Sequence, residues 1–405
     1  MANNIPSPKP LFDTLDNVLL HHPLLELADI YSDDFKHAAS FLKAYKGSQG
    51  TFNAYRREIE RLLQWSWLIA EKSVKDLRRT DIEMYLTFCQ SPPHSWIGTK
   101  KAPRFLEKNG ERTPNLEWRP YVVTISKIAH RKGNKPDIKN YELSSTAIKD
   151  IFSILSSFYN FLIQEDYTEV NPILHIRQKS KYIRKKQTKS KIRRLSELQW
   201  EYVIETAEIM AEEDPDQHHR TLFIMTALYA MYLRISELAA SERWTPKMCD
   251  FYRDHDGLWW FTTVGKGNKE RQISVSDAML AALKKYRRSM KLSPLPSPSD
   301  KTPLLTRYKG KGAITSTTYI RKIVQRCFDR AILRLQEDGF IEDADVLLEA
   351  TVHWLRHTGI SDDVKIRPRE HVRDDAGHSS GAITDKYIDI ELRERHATAK
   401  KKPIK

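Results

Sequence analysis

Residues 221–240 read TLFIMTALYAMYLRISELAA. The first part is almost unbroken apolar sequence. It is too long for an ordinary strand, so it predicts a largely buried helix. The run closes on Arg234. A guanidinium ending such a helix is partly buried, and a buried charge needs an anionic partner. Glu237, three residues on, supplies part of that need as a helix ion pair. A bound phosphate would supply the rest, because the planar fork takes two phosphate oxygens at once.

Three other stretches in the same half bear on that anion: VGKGNKER (264–271), HWLRHTG (353–359) and AGHSSGAITDKY (376–387). The runs LWWFTTV (258–264) and RQISVS (271–276) read as two strands around a Gly-rich turn, so a hairpin is expected. Lys266 lies at its tip between glycines, free to enter a cleft. His353 and Arg356 stand at i and i+3, on one face of a helix. They offer an imidazole and a second fork to the same anion. His378 sits in a Gly-Ser-Ser turn that lets backbone approach closely. Tyr387 follows nine positions later. Each residue alone has an ordinary explanation: a surface ion pair, a turn lysine, a solvated helix face, a packing aromatic. The ordered set is more specific than any member.

The chain has 405 residues and carries 67 Lys and Arg against 53 Asp and Glu, a net charge of +14. Such an excess suits polyanionic partners. No apolar run is long enough to span a membrane, and MANNIPSPKP does not read as a secretory signal. Cys89, Cys249 and Cys327 are far apart and lack zinc spacing, which suits a reducing compartment. No P-loop and no two-metal carboxylate cluster is present, so no metal or other cofactor is expected.

Charge is concentrated in residues 177–194, RQKSKYIRKKQTKSKIRR, which hold ten Lys or Arg and no acid. A like-charged run cannot pack, so it reads as an extended linker or a strap along a phosphate backbone. Its candidate DNA contacts are Arg177, Lys179, Lys181, Arg184, Lys185, Lys186, Lys189 and Lys191. Before it, helical periodicity dominates. Ser32 and Thr51 read as caps of two helices, the first carrying Phe35, Ala38, Ala39 and Leu42. Residues 81–90 form a third helix, and 145–165 a fourth ended by Asn171-Pro172. Between them lies a basic, aromatic insertion, 91–143, with VVTISKI as a strand of a basic hairpin. It reads equally as a surface insertion or a DNA contact. After the linker, Ser196 with Gln199 forms a capping box. Further helices are expected at 277–291, about 317–336, and 343–358.

Taken in order, Arg, Lys, His-x-x-Arg, His and Tyr resemble the catalytic set of the tyrosine recombinases, the phage-integrase family. The spacings of 22 residues from Arg356 to His378 and nine to Tyr387 fit that pattern. Thr51 to Trp67 and IFSILSSFYNFLIQEDYTEVNPI resemble helices of the family's core-binding domain. The resemblance covers roughly residues 30–175 and 195–390. Departures are Ala376, where leucine is usual, and the highly charged SDDVKIRPREHVRDD (361–375), which lacks the usual leucine pair and glycine.

The resemblance implies a mainly α fold with a small β-hairpin or sheet (α+β) in the catalytic domain. The order would be an N-terminal arm (1–29), a helical, SAM-like core-binding domain (30–175), the basic linker (176–194), the catalytic domain (195–390) and a basic tail (391–405). It implies that Arg234 and Arg356 hold the non-bridging oxygens, His378 donates a further hydrogen bond, and Tyr387 attacks phosphorus to give a 3′-phosphotyrosyl intermediate. Lys266 would protonate the leaving 5′-oxygen, His353 would aid proton transfer or orient the site, and Glu237 would support Arg234 or His353. Implied partners are double-stranded DNA at specific recombination sites, other copies in a tetramer on DNA, and accessory recombination factors. No membrane is implied, and the implied location is the cytoplasm, on the bacterial nucleoid. Two other readings remain open: a type IB topoisomerase-like swivelase and a non-catalytic DNA-binding relative.

Overall fold

The computed structural model describes residues 5–18, 29–44, 49–179, 193–242, 244–265, 268–307, 312–387 and 399–400. They divide into two compact units, residues 1–188 and 189–405. The described chain is mainly helical with small sheets, as the resemblance implies.

The first unit is built on α1 (Asp29–Ala44), α2 (Gln49–Leu68), α3 (Arg79–Gln90), α5 (Ser145–Gln164) and α6 (Pro172–Lys179). Phe35, Leu62, Leu63, Trp65, Tyr85, Leu155 and Tyr159 fill its core. Ser32 and Thr51 do not cap α1 and α2 but lie inside them. Asn171-Pro172 starts a helix rather than ending one. The Asn171 side chain accepts from the Ile173 amide at 3.1 Å, and Pro172 occupies the first helical position, where a missing N–H costs nothing. Arg177 and Lys179 are therefore in the last turn of α6, not in extended chain. Lys181, Arg184, Lys185, Lys186, Lys189 and Lys191 lie outside the described residues.

The insertion contains β1 (Ile97–Gly98), β2 (Phe105–Lys108), β3 (Glu111–Pro114), β4 (Tyr121–Val122) and the short α4 (Lys127–Arg131). Its hairpin is not at VVTISKI. It is β2–β3, turned by Asn109 and Gly110, both left-handed (φ 52° and 80°). Asn-Gly favours this turn because both residues tolerate positive φ. β4 pairs in parallel with β1 instead. The insertion is bound into the unit. The Arg104 guanidinium reaches fully buried Glu60, whose carboxylate also accepts the Leu11 amide at 2.6 Å, while Arg112 pairs with Asp13. Phe12 stacks on Phe35 at 5.0 Å.

The second unit opens with α7 (Glu197–Glu213), and the Ser196–Gln199 capping box is present. α8 (Pro215–Ala230) packs on α7, on α10 (Asp277–Ser289) and on α13 (Val352–Ile366). The expected helix through residue 240 breaks at Ala230. Tyr232 adopts φ 50°, and a new turn, α9 (Ile235–Leu238), starts after Arg234. The three-stranded sheet β5 (Phe251–Arg253), β6 (Trp259–Val264) and β7 (Glu270–Ser274) is antiparallel in that order. α11 (Thr317–Glu337) follows. The expected helix at 343–358 is two, α12 (Ile341–Leu347) and α13. α14 (Arg369–Ala376) and α15 (Gly381–Thr384) lead to a final turn, Asp385–Tyr387.

Candidate active site

The break before α9 aims Arg234 away from the core. Glu237 turns back to accept the Arg234 amide at 2.7 Å and its Nη1 at 3.0 Å. The same carboxylate takes both terminal nitrogens of Arg271, at 2.7 and 2.9 Å. Burial alone would raise the Glu237 carboxyl. The hydrogen bonds and charge of Arg271, then of Arg234, outweigh burial and hold it below the usual range.

Arg356 is 5% exposed. Its two terminal nitrogens donate to the carbonyl oxygens of Tyr232 and Ala376, the latter at 2.6 Å. The break at Tyr232 and the end of α14 thus orient the fork. Among the described residues no carboxylate pairs with Arg356. Burial, then the charges of Arg234 and Arg271, lower its guanidinium to about 10. Arg234 and Arg271 therefore share one buried carboxylate while Arg356 has none, and an anion placed among them would offset the excess positive charge.

Gly265 abuts this cluster. A Cβ there would lie 3.1 Å from both Arg271 Nη1 and Glu237 Oε1. The residue after it, Lys266, lies outside the described residues.

Gly377 ends α14 with φ 62°, and a Cβ on it would come within 2.8 Å of Arg271 Cδ. Arg271 Nε donates to the Asp375 carbonyl at 3.1 Å. The β6–β7 hairpin is thereby tied to the loop that carries His378. His378 Nδ1 lies 2.9 Å from Thr384 Oγ1, and its ring stacks on Tyr387, centroids 5.7 Å apart. Burial, then Arg356, Arg234 and Arg271, lower His378 to about 4. It is neutral at pH 7.

Tyr387 is buried against Tyr232, Ile360, Val372 and Ala376. Its hydroxyl is 2.7 Å from Nδ1 of His357. Burial raises its pKa, and the charges of Arg356 and Arg234 offset part of the rise. His353 has an exposed edge, but partial desolvation of its ring, then the charges of Arg321, Arg356 and Arg234, lower its pKa.

The charged segment 361–375 packs through ion pairs rather than leucines. Arg367 bridges Asp363 at 3.0 Å and Asp375 at 2.6 Å. Asp375 also accepts the Ser274 hydroxyl at 2.6 Å and the Ser274 amide at 3.1 Å. The Tyr232 hydroxyl donates to Asp363. Ala376 and Val372 fill the apolar space that larger residues would occupy. The network fixes α13, α14 and β7 to one another.

The structure thus gathers Arg234, Glu237, Arg356, His353, His378 and Tyr387, from α9, α13 and the segment after α14. Sequence reasoning missed Arg271 and His357. Both lay in the quoted stretches, Arg271 closing VGKGNKER and His357 one helical turn after His353.

This fold is that of the tyrosine recombinases. In sequence and in fold the chain is similar to members of the tyrosine recombinase/integrase family. It is 30% identical over 198 residues to the tyrosine recombinase XerD of Rickettsia prowazekii, covering 46% of this chain and 59% of that protein. The chain therefore spans less than two thirds of that relative. The XerH site-specific recombinase bound to palindromic difH substrate, in a post-cleavage complex, superposes with a TM-score of 0.55 at 14% identity, covering 98% of this chain and 91% of XerH. A lambda integrase (75–356) dimer bound to a COC′ core site gives 0.51 at 14%, covering 89% and 96%. No family model matches the chain.

Proposed function

We propose that the protein is a site-specific recombinase that cuts and rejoins DNA strands through a 3′-phosphotyrosyl intermediate. The observation that carries this is the buried Tyr387 hydroxyl in the field of Arg356 and Arg234, within a cluster where Arg234 and Arg271 share the Glu237 carboxylate and Arg356 has none. Such a site suits a phosphodiester, whose own charge repels nucleophiles until cations neutralise it.

Arg234 and Arg356 take the non-bridging oxygens. Among the described residues, carbonyls use only two of the five N–H groups of Arg356, which leaves donors for an anion. His378, neutral and fixed by Thr384, donates a hydrogen bond to the phosphate. Tyr387 attacks phosphorus, and Lys266 protonates the departing 5′-oxygen. Glu237 with Arg271 holds Arg234 in place. The 5′-hydroxyl of a partner strand then reverses the step, so bond energy is kept and neither ATP nor a metal is consumed. The partner is duplex DNA at a specific site, in a tetramer of four copies, on DNA in the cytoplasm. Arg177, Lys179 and the rest of the linker set track the phosphate backbone.

The test uses duplexes recovered from a random pool by binding to the full chain. Two such sites on one plasmid should exchange strands and yield recombined junctions. Relaxation of a supercoiled plasmid without junctions would favour the swivelase reading, and binding with neither would favour a non-catalytic relative.

A further inference from the structure

The family resemblance has His353 aid proton transfer or orient the site. The geometry points elsewhere. Among the described residues, the hydrogen bond of the Tyr387 hydroxyl is to His357 Nδ1, at 2.7 Å. The two rings are 5.5 Å apart. His357 sits on α13 beside Arg356, and the helix is held there by Thr358, whose hydroxyl donates to the Trp354 carbonyl at 2.7 Å and accepts the Leu195 amide at 3.0 Å. His353 is exposed one turn earlier. The His378 ring stacks on the Tyr387 ring. Both partners in the hydrogen bond are thus fixed before DNA arrives, which is what proton transfer during attack requires.

We propose that His357, rather than His353, takes the proton from Tyr387 as its oxygen attacks phosphorus. This rests on the recombinase reading above. The Oη–H bond breaks, its electron pair forms the Oη–P bond, and the proton passes to His357 Nδ1. The P–O5′ bond breaks, and the 5′-oxygen leaves with that pair and takes a proton from the acid assigned to Lys266. On rejoining, the 5′-hydroxyl attacks phosphorus and gives its proton back to the group assigned to Lys266, the Oη–P bond breaks with its pair on Oη, and His357 returns the proton to Tyr387.

His357 is ready to accept. Burial first, then His353 and Arg356, lower it to about 4, so it is neutral at pH 7. A phosphate bound at Arg356 and Arg234 offsets the cationic field and makes the ring more basic when substrate is present. The titratable and charged groups that face it are His353 and Arg356 on its own helix, His378 from the loop after α14, and Tyr387 from the final turn.

The experiment measures single-turnover adduct formation by the full chain on a nicked suicide form of the recovered duplex, from neutral to alkaline pH. His357→Ala should bind the uncleaved duplex as wild type does and form adduct about 100-fold more slowly, the low end for loss of a general base. Its rate should keep climbing with pH where the wild type levels off, because hydroxide replaces the imidazole. His357→Gln keeps a hydrogen-bonding oxygen but cannot take the proton. It should share the altered profile while melting near the wild-type temperature. His353→Ala should keep the wild-type profile. The proposal falls if the His357 variants stay within a few-fold of wild type, or slow down with an unchanged profile, or if His353→Ala alone loses the plateau. A wild type that forms no adduct on a duplex it binds refutes the recombinase reading, and this assignment with it. A wild-type adduct with unaffected His357 variants refutes this assignment only.

Discussion

Glu237→Gln probes the cluster through its one carboxylate. The side chain is 2% exposed and accepts four hydrogen bonds from Arg234 and Arg271, two on each oxygen. Glutamine keeps one oxygen and turns an NH2 toward two donors, so two charge-assisted bonds are lost whichever way the amide faces. Breaking a buried ion pair from one side costs about 3–5 kcal/mol. The side chains of Arg234 and Arg271 are 29% and 10% exposed and partly regain water. The expected loss is therefore about 3 kcal/mol. A pH dependence follows. A carboxyl held below its ordinary 4.5 stabilises the fold fully above that value and loses the contribution as the pH falls through its lowered folded value. Urea denaturation of both chains should show a gap that is widest near neutral pH and narrows in acid. A loss below about 1 kcal/mol, the range of a surface pair, would refute the reasoning. So would a gap that does not change with pH.

Other consequences are equally specific. A Cβ on Gly359 would fall on the Tyr229 carbonyl, far inside van der Waals contact, so Gly359→Ala should force α13 off α8 and cost at least about 2 kcal/mol in urea unfolding. Gly377→Ala places a side chain in a left-handed residue, at about 1–2 kcal/mol, and against Arg271. It should also slow adduct formation on the recovered duplex without weakening binding. If Arg234 holds a phosphate, Arg234→Ala should reduce the slope of log affinity against log salt by about 0.9, measured by fluorescence anisotropy. An unchanged slope would remove Arg234 from the DNA contact.

The parts of the site that were legible in the sequence were those whose chemistry is local. Arg234 announced itself by ending an apolar run. His353 and Arg356 shared a helix face by spacing alone, and Ser196 with Gln199 marked a helix start. The break at Tyr232 was not legible. A left-handed tyrosine is selected by long-range partners: Asp363 takes its hydroxyl and Arg356 takes its carbonyl. The charged stretch 361–375 read as a departure for the same reason. Asp363, Arg367 and Asp375 satisfy one another only once α13, α14 and β7 have met. Arg271 was hidden by its place in a strand, where alternation says which face a residue takes but not what it meets. The Asn109-Gly110 turn is a plain local signal, and it marks the hairpin where the β-branched VVTI does not.

The account turns on one covalent bond. The wild-type chain should be trapped on the nicked suicide duplex, the denaturant-resistant adduct digested, and the nucleotide-bearing peptide sequenced by mass spectrometry. The account predicts a phosphodiester linkage to Tyr387, with no adduct formed by Tyr387→Phe. An adduct on another residue, or one that persists in Tyr387→Phe, would contradict it.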